Sequence, residues 1–404
     1  MSILPLLTPT GIPRAGLVAW HDLYFPNLAY YSESPASWVG YKSGTGTDAV
    51  ITGGQTDPND GSTAVRLQMD AGAGETSSDY CHVALSTYGV WSGSEICTFG
   101  FWAKANNGTA TDLRCLLGGQ TLSLEPTIPA SGEWVFVSNS RVPVSNSYLG
   151  IKVWGVAGSR VADVTVWHPQ FYPCASAATL PPYTATTDLQ TAESGLIDLS
   201  GNGNRLSRGS NASAADTNDP TVLGPGLRFV TDDYALTPTL TGGLTLAGPL
   251  TAVLVGKFTA TTDSHYLALG QSAVATERQG IVATVGSAGS VKSYTRSTLG
   301  LYALSSSLTV GTNPVMLALT AVSSGNVTVT LLPSGSAQSV ANKQPLTGID
   351  TRLVLGANAQ TVFPVDSATL YEDLLYNRVL TSAELQRIRR AVKAKWAARG
   401  VDIV

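Results

Sequence analysis

The stretch Gly195-Leu-Ile-Asp-Leu-Ser-Gly-Asn-Gly-Asn-Arg-Leu206 decides how this chain of 404 residues is organised. Its apolar residues Leu196, Ile197 and Leu199 lead directly into Ser200-Gly-Asn-Gly-Asn204. Glycine and asparagine tolerate positive φ angles, and short asparagine and serine side chains hydrogen-bond to nearby backbone groups. The stretch therefore predicts a strand that enters a tight, fixed turn.

This turn resembles the DxSGNGN turn found early in laminin-G/concanavalin A-like β-sandwiches, a lectin-type domain common in phage virion proteins. In that family a strand of the form GLVAWWD comes shortly before the turn. That strand is missing just upstream here, but Gly16-Leu-Val-Ala-Trp-His-Asp-Leu23 fits it well. The resemblance implies a sandwich built from residues 16–23 plus 188–404, with the intervening residues inserted after its first strand.

The inserted segment, residues 24–187, carries its own series of motifs. After an opening at Asn27–Glu33 and Asp57–Leu67, the segment has Phe99-Gly-Phe-Trp-Ala-Lys-Ala105. Two later motifs are Gly132-Glu-Trp-Val-Phe-Val137 and Val164-Thr-Val-Trp-His-Pro-Gln-Phe171. Pro181-Pro-Tyr-Thr-Ala-Thr186 closes the series. In this order the motifs resemble three strands and the exit segment of the carbohydrate-binding-module-like jelly rolls of phage tail proteins. The resemblance implies a second β-sandwich.

The amino-acid composition is typical of a chain with many short strands, and it argues against nucleic-acid and membrane partners. Charged residues make up 13% of the chain, well below the usual quarter, while glycine, serine and threonine are abundant, as in strands joined by turns. The net charge of −4 gives no broad basic field, so we expect no nucleic-acid partner. Because no apolar run approaches the roughly 20 residues of a membrane span, we also expect no membrane insertion.

Residues 381–399 are the one segment with a helical pattern. Thr381 can cap the helix, and Glu384 completes a capping box. One apolar stripe follows at helical spacing: Leu385, Ile388, Val392 and Trp396. Further strands are predicted at 249–258, 280–285, 315–321 and 327–332. The predicted fold is all-β: two β-sandwiches, one interrupting the other, with one C-terminal α-helix.

Two segments are candidates for docking on a neighbouring protein. Residues 1–15 carry prolines at four-residue spacing, Pro5, Pro9 and Pro13. Proline fixes φ and removes backbone donors, so we interpret this segment as an extended arm, either a docking peptide or a frayed terminus. The polar side of the helix carries basic residues, among them Arg387, Arg390 and Lys393. They are interpreted either as a docking face for an acidic neighbour or as an ordinary solvated face.

The sequence carries no recognised catalytic or cofactor motif, so we expect no enzyme activity and no cofactor. Four aspartates near glycine turns are weak candidates for a structural Ca²⁺ site: Asp57, Asp60, Asp232 and Asp233. Since no loop has EF-hand spacing, plain turn residues are the other interpretation. A glycosidase needs only two carboxylates about 5–10 Å apart. No sequence motif indicates such a pair of carboxylates.

Alternation of residue types gives the strongest functional signal. In the segment 99–104, Phe99 and Phe101 share one face, whereas Trp102 and Lys104 lie on the other. The same alternation separates tryptophan and lysine from aliphatic residues in two later strands, giving the candidates Lys152, Trp154 and Trp167. We expect this second set to lie on the outer face of a sheet, where aromatic rings can bind the C–H face of sugars. The alternative is that these tryptophans pack under loops or against the other domain.

Together the resemblances imply a bacteriophage virion protein, assembled in the host cytoplasm and displayed on the virion surface. It would be a tail-fibre, spike or other appendage component that recognises host-surface glycans non-covalently, with avidity supplied by copy number. The expected partners are other virion proteins, host-surface polysaccharide and further copies of this chain, for instance in a trimer. The alternative function is purely structural, as a head-decoration, collar or baseplate protein, and a polysaccharide-cleaving enzyme is the minor alternative.

Overall fold

The computed structural model describes residues 11–25, 27, 29, 32–86, 96–117, 120–121, 127–142, 149–156, 159–172, 177–183, 185–186, 196–209, 220–222, 225–230, 233–244, 248–258, 264–271, 280–285, 290–297, 300–321, 326–332, 336–341, 351–356 and 367–404. Contacts within the chain divide it into two units. Met1–Tyr24 with Gly195–Val404 is called the split unit, and Phe25–Ser194 is called the inserted unit. The sequence places the corresponding boundaries after residues 23 and 187.

Strands dominate the described residues. The first strand, β1, covers Leu17–Asp22 and belongs to the split unit. The strands of the inserted unit are β2 (Val39–Ser43), β3 (Val50–Gln55), β4 (Ala64–Asp70), β5 (Tyr80–Ser86), β6 (Cys97–Ala105), β7 (Arg114–Leu117), β8 (Gln120–Thr121), β9 (Val135–Arg141), β10 (Leu149–Trp154) and β11 (Val161–Tyr172). Short 3₁₀ helices cover Pro35–Ser37 and Ala177–Thr179.

The split unit resumes with its remaining strands and ends in a helix. The strands are β12 (Ser207–Arg208), β13 (Thr221–Val222), β14 (Leu227–Val230), β15 (Ala235–Leu236), β16 (Leu250–Phe258), β17 (Ser264–Gln271), β18 (Gly280–Val285), β19 (Ser290–Ser297), β20 (Gly300–Thr309), β21 (Val315–Ala321), β22 (Asn326–Leu332), β23 (Ser336–Ala341), β24 (Thr351–Leu355) and β25 (Ser367–Tyr376). The helix, α1, covers Ser382–Ala397. The predicted fold class, all-β with a C-terminal helix, is confirmed.

The strands of each unit pair in antiparallel sheets. In the inserted unit one sheet has the order β2-β5-β10-β7-β8, called the β10 sheet, and the other has the order β3-β4-β11-β6-β9, called the β11 sheet. In the split unit one sheet runs β13-β14-β25-β16-β21-β22-β23, and β12-β15-β24-β17-β18-β19-β20 forms the other. β1 also pairs with β25.

Strand β1 pairs with β25, a strand that lies some 350 positions later in the chain. It runs antiparallel to β25, with Leu17 opposite Tyr376 and Asp22 opposite Glu372. β14 pairs with the preceding half of β25, so β1 and β14 lie end to end along the same edge. All six residues of β1 are buried. The strand is therefore covered by other parts of the unit.

The turn after Asp198 fastens β1 in place. The carboxylate of Asp198 accepts hydrogen bonds from the backbone N–H groups of Trp20, Ser200 and Asn204. The side-chain amides of Asn202 and Asn204 both donate to the carbonyl of Val18, at 2.9 and 2.8 Å. The short polar side chains that mark a turn in the sequence therefore bind a strand about 180 residues upstream.

Helix α1 closes the core of the split unit. Thr381 and Glu384 form the predicted capping box, and the four stripe residues are its buried residues. The helix begins one residue later and ends two residues earlier than predicted, and Gly400 follows with a φ of +80°. None of the helices in the described ranges is long and apolar enough to cross a membrane.

An ion cluster lies beneath the last turns of α1. The ammonium of Lys395 lies 2.6 Å from Glu372 and 3.2 Å from Asp22, and the guanidinium of Arg399 forms a bidentate pair with Asp22. Glu372 is fully buried and also accepts from the indole N–H of Trp20 at 2.7 Å. Since buried charges require such partners, these two basic residues support the helix docking.

Candidate functional site

The outer face of the β11 sheet carries a row of aromatic side chains that crosses three neighbouring strands. Trp102 on β6 lies directly opposite Trp167 on β11 and Phe136 on β9. The residues that alternate with them, such as Phe101 and Val137, are fully buried, so the three rings point away from the core. Trp102 retains 38% of its exposure. We call Trp167, Trp102 and Phe136 the aromatic row.

Two pairs of rings are in contact on this face, and one pair includes a further tryptophan, Trp134. Trp102 and Phe136 lie 5.4 Å apart between centroids, in an edge-to-face arrangement. A Cβ at Gly100 would lie 2.5 Å from the Phe136 ring, so glycine at this position leaves the ring its space. Trp134, just before β9, lies 6.4 Å from Trp167 between ring centroids. Four aromatic rings therefore lie on this face, in two contacting pairs.

Hydrogen bonds fix the orientation of the Trp167 ring. Its indole N–H donates to the hydroxyl of Thr63 at 2.8 Å, and that hydroxyl donates to Asp57, also at 2.8 Å. Asp57 further accepts from the backbone N–H groups of Asn59, Gly61 and Thr63. The hydrogen bond from the Thr63 side chain, with those from the backbone, lowers the pKa of Asp57 to about 2. Asp57 is therefore an ionised loop residue that positions Trp167 through Thr63.

His168 supports the other side of the same ring. A register shift in β11 after Trp167 puts His168 at a φ of +52°, an uncommon conformation for a residue with a Cβ. Its ring stacks between those of Trp167 and Tyr183, at 3.4 and 3.6 Å between centroids. Burial lowers the pKa of His168 to about 4, so the ring is neutral at pH 7. The stack and the hydrogen bond to Thr63 together restrict rotation of the Trp167 ring.

The outer face of the β10 sheet carries a different row. Tyr41, His82, Lys152 and Arg114 lie opposite one another on four neighbouring strands, and Tyr80 flanks His82. Tyr41 is 42% exposed, whereas Lys152 is only 7% exposed. We call Tyr41, His82, Lys152 and Arg114 the cationic row.

Aromatic rings cover the charges of the cationic row. The ammonium of Lys152 lies 4.3 Å from the ring centroid of Tyr80 and 4.8 Å from that of Trp154. The guanidinium of Arg114 lies 5.1 Å from the Trp154 ring. Burial, together with the charge of Arg114, lowers the pKa of Lys152 to about 8. The Trp154 ring therefore has cations against it and donates its N–H to the carbonyl of Ser77 at 2.9 Å.

The five predicted sugar-binding residues fall on two faces. Trp102, Lys104 and Trp167 lie on the outer face of the β11 sheet, whereas Lys152 and Trp154 lie on that of the β10 sheet. The expectation of one outer face for all five is therefore wrong, because β10 pairs with β5 and β7 and not with β6 or β11. The first three share one surface, and the other two share a second one.

Sequence reasoning missed several members of both faces. Trp134 and Phe136 alternate with Val135 and Val137 as the chosen residues do, so the signal used for Trp102 could have identified them. The position of His168 depends on a register shift, which leaves no periodic signal. Tyr41 and Arg114 join Lys152 through pairing between distant strands.

Three of the four Ca²⁺ candidates lie among the described residues. Asp57 and Asp60 belong to one loop of the inserted unit, and Asp233 belongs to the split unit, where it accepts from the backbone N–H of Val230 at 2.8 Å. Asp232 lies outside the described residues. Across the described ranges, no group of three or more histidine, cysteine, aspartate or glutamate side chains is placed to hold a metal ion.

The docking candidates lie in the split unit. Pro5 and Pro9 lie outside the described residues, and the carbonyl of Pro13 accepts from the hydroxyl of Tyr376 at 3.2 Å. Ile12, within the segment predicted as an extended arm, packs in the core of the unit. On α1, Arg387 and Arg390 are exposed, and Lys393 pairs with Asp402 at 3.6 Å.

Comparisons with known proteins return only distant structural similarity. No protein-family model matches the chain, and no curated protein matches it by sequence. Among solved structures it is similar to the receptor-binding domain of botulinum neurotoxin D, at 10% identity and a TM-score of 0.35, over 49% of this chain and 50% of that one.

Two further neighbours come from the same group of toxins. One is the serotype D ligand-binding domain in complex with N-acetylneuraminic acid, at 10% identity and a TM-score of 0.36, over 48% of this chain and 47% of that one. The other belongs to a study of type C cell entry through two ganglioside molecules, at 8% identity, a TM-score of 0.37 and 48% of each chain. The chain spans about half the length of these structures. The case for a ligand therefore depends on the residues of this chain.

Proposed function

We propose that the inserted unit binds a carbohydrate chain non-covalently across the aromatic row. The observation that carries this proposal is the alignment of Trp167, Trp102 and Phe136 on three adjacent strands, with Trp102 substantially exposed. Sugars bind aromatic rings through their apolar C–H faces. Rings that are already oriented lose little conformational freedom on binding, which favours affinity.

The proposed ligand crosses the strands. Neighbouring strands are about 4.8 Å apart, so the row spans roughly 10 Å from Trp167 to Phe136. That span accommodates more than one sugar ring, which favours an oligosaccharide or polysaccharide over a monosaccharide. Such open sites bind weakly one at a time, and several copies on one particle would supply avidity.

We further propose that the chain is a non-enzymatic bacteriophage virion protein, displayed on a tail fibre, spike or other appendage to recognise host glycans. Support for this context comes from the sequence motifs of both units, which resemble those of phage virion domains. The proposed partners are host-surface polysaccharide, other virion proteins and further copies of this chain.

The test of glycan binding compares two tryptophans of the same unit. Biolayer interferometry on immobilised bacterial envelope polysaccharides, with dextran and xylan as neutral additions, measures binding of wild type, Trp102→Ala and Trp154→Ala. We expect Trp102→Ala to weaken binding about tenfold, because it removes the most exposed ring of the aromatic row, and Trp154→Ala to leave it unchanged. Absence of saturable binding to every glycan, with the protein also presented multivalently, would contradict the proposal.

The virion context has a separate test. Mass spectrometry of gradient-purified particles should detect the chain at a stoichiometry of several copies per particle. If particles contain it while no glycan binds, the purely structural function is favoured, and the exposed pair Arg387 and Arg390 becomes the surface to substitute. Release of reducing sugar from a bound polysaccharide would instead favour an enzyme.

A further inference from the structure

We infer that the carbohydrate bound by the aromatic row is acidic, and that Lys104 selects it by pairing with a carboxylate of the sugar. This inference rests on the proposed function, since it concerns the ligand class of the same site. It assigns Lys104 as a specificity-determining residue, whereas the rings supply contact that most sugars could use.

The position of Lys104 places its charge beside the rings. It follows Trp102 by two residues on β6, so both side chains point to the same face. Its ammonium lies 5.0 Å from the ring centroid of Trp134, within the distance of a cation–π contact. A sugar seated on Trp102 would therefore have this ammonium at one edge.

Among the described residues, Lys104 has no carboxylate partner that would neutralise its charge. Within the described ranges, no carboxylate lies within salt-bridge distance of Lys104. The nearby carboxylate of Asp163 is occupied by the guanidinium of Arg66, through two hydrogen bonds of 2.8 and 2.5 Å. Directly opposite Lys104 on β11 is Thr165, a neutral residue whose hydroxyl donates to Asn106.

These neighbours make Lys104 different from the other cations of the unit. Arg66 has a fixed carboxylate partner, and Lys152 is buried against two aromatic rings. Lys104 combines partial exposure, an adjacent open ring surface and no protein counter-charge in the part of the chain that is described. A carboxylate on the ligand would complete this arrangement as a charge-assisted hydrogen bond.

The experiment separates the charge of the ligand from its ring contacts. The probes are polysialic, polygalacturonic and alginic acid, each used native and after reduction of its carboxylates to alcohols, with dextran and xylan as neutral glycans. The variants are Lys104→Gln, Lys104→Arg, Trp102→Ala and Lys257→Gln. Lys257 is an exposed lysine of the split unit, so Lys257→Gln changes the net charge equally and serves as the matched control. Thermal unfolding of each variant confirms that it is folded.

We expect at least one native acidic glycan to bind about tenfold more tightly than its reduced form, with the advantage falling as salt rises. Lys104→Gln should remove that advantage, Lys104→Arg should keep most of it, and Lys257→Gln should leave it intact. If reduced and native glycans bind equally and only Trp102→Ala weakens them, the inference is overturned and the proposed function stands. If no probe binds in a manner sensitive to Trp102→Ala, the proposed function itself is contradicted.

Discussion

The two outer faces of the inserted unit arise from the same sequence pattern and yet present different surfaces. On the β11 sheet, Trp102 keeps an open ring, and the Lys104 ammonium lies over the neighbouring Trp134 ring. On the β10 sheet, Lys152 is covered by Tyr80 and Trp154, so the charge is buried and the Trp154 ring is occupied. The difference shows that alternation within one strand selects a face, whereas the neighbouring strands decide whether that face is open.

The largest difference between the two faces is expected when the aromatic rings of each face are removed in turn. Trp102→Ala/Trp167→Ala should weaken glycan binding about 30-fold or more, because each ring contact contributes roughly 1 kcal/mol or more. Lys152→Ala/Trp154→Ala should leave glycan affinity within twofold of wild type. Isothermal titration calorimetry with the tightest glycan of the panel measures both. Equal losses in the two double variants would show that the faces do not differ in function.

A smaller effect is expected from loosening one ring without deleting it. Thr63→Val removes the hydroxyl that accepts from the Trp167 indole and donates to Asp57. We expect about fivefold weaker binding and a loss of about 1 kcal/mol in the free energy of unfolding. Tryptophan near-ultraviolet circular dichroism should change together with the affinity, because the ring gains freedom.

The opposite face supplies the control for that variant. Trp154 donates to a backbone carbonyl, that of Ser77, so Ser77→Ala keeps the acceptor. It should change neither glycan affinity nor the tryptophan spectrum. A normal spectrum for Thr63→Val would mean that the His168 stack alone holds Trp167.

The smallest expected effect concerns pH and Lys152. The pKa of Lys152 is lowered to about 8 in the folded protein by burial and by Arg114, so between pH 8 and about 10.5 the unfolded chain binds more protons at this residue. Stability contributed by this site therefore rises with pH across that window. Chemical denaturation should show the free energy of unfolding of wild type rising relative to Lys152→Met across this window. A flat difference for Lys152→Met would show that this lysine is solvated.

The sequence patterns predicted what depends on local chemistry. The helix follows from its capping box and apolar stripe, and the predicted strands at 280–285 and 315–321 coincide with β18 and β21. The turn after Asp198 also follows locally, because its asparagines and glycines determine its backbone. Such elements are visible in one segment of sequence at a time.

The site was only partly predictable, because it depends on register between distant strands. That Trp102 faces outward follows from alternation, but its neighbours Trp167 and Phe136 are set by pairings across 65 and 34 positions. A shift of one residue in either pairing would place those rings on the other face. Nothing periodic in the sequence separates Lys152 from Lys104, since their difference lies in what the adjoining strands place beside them.

The pairing of β1 with β25 has a consequence for synthesis on the ribosome. The residues of the inserted unit are complete long before Ser367–Tyr376 emerges. At about 5–20 residues per second, the roughly 350 residues that separate the two strands take about 20–70 s to add. Throughout that interval Trp20 and its neighbours lack the strand that they will lie against. Strand β1 can therefore pair only after β25 has been synthesised.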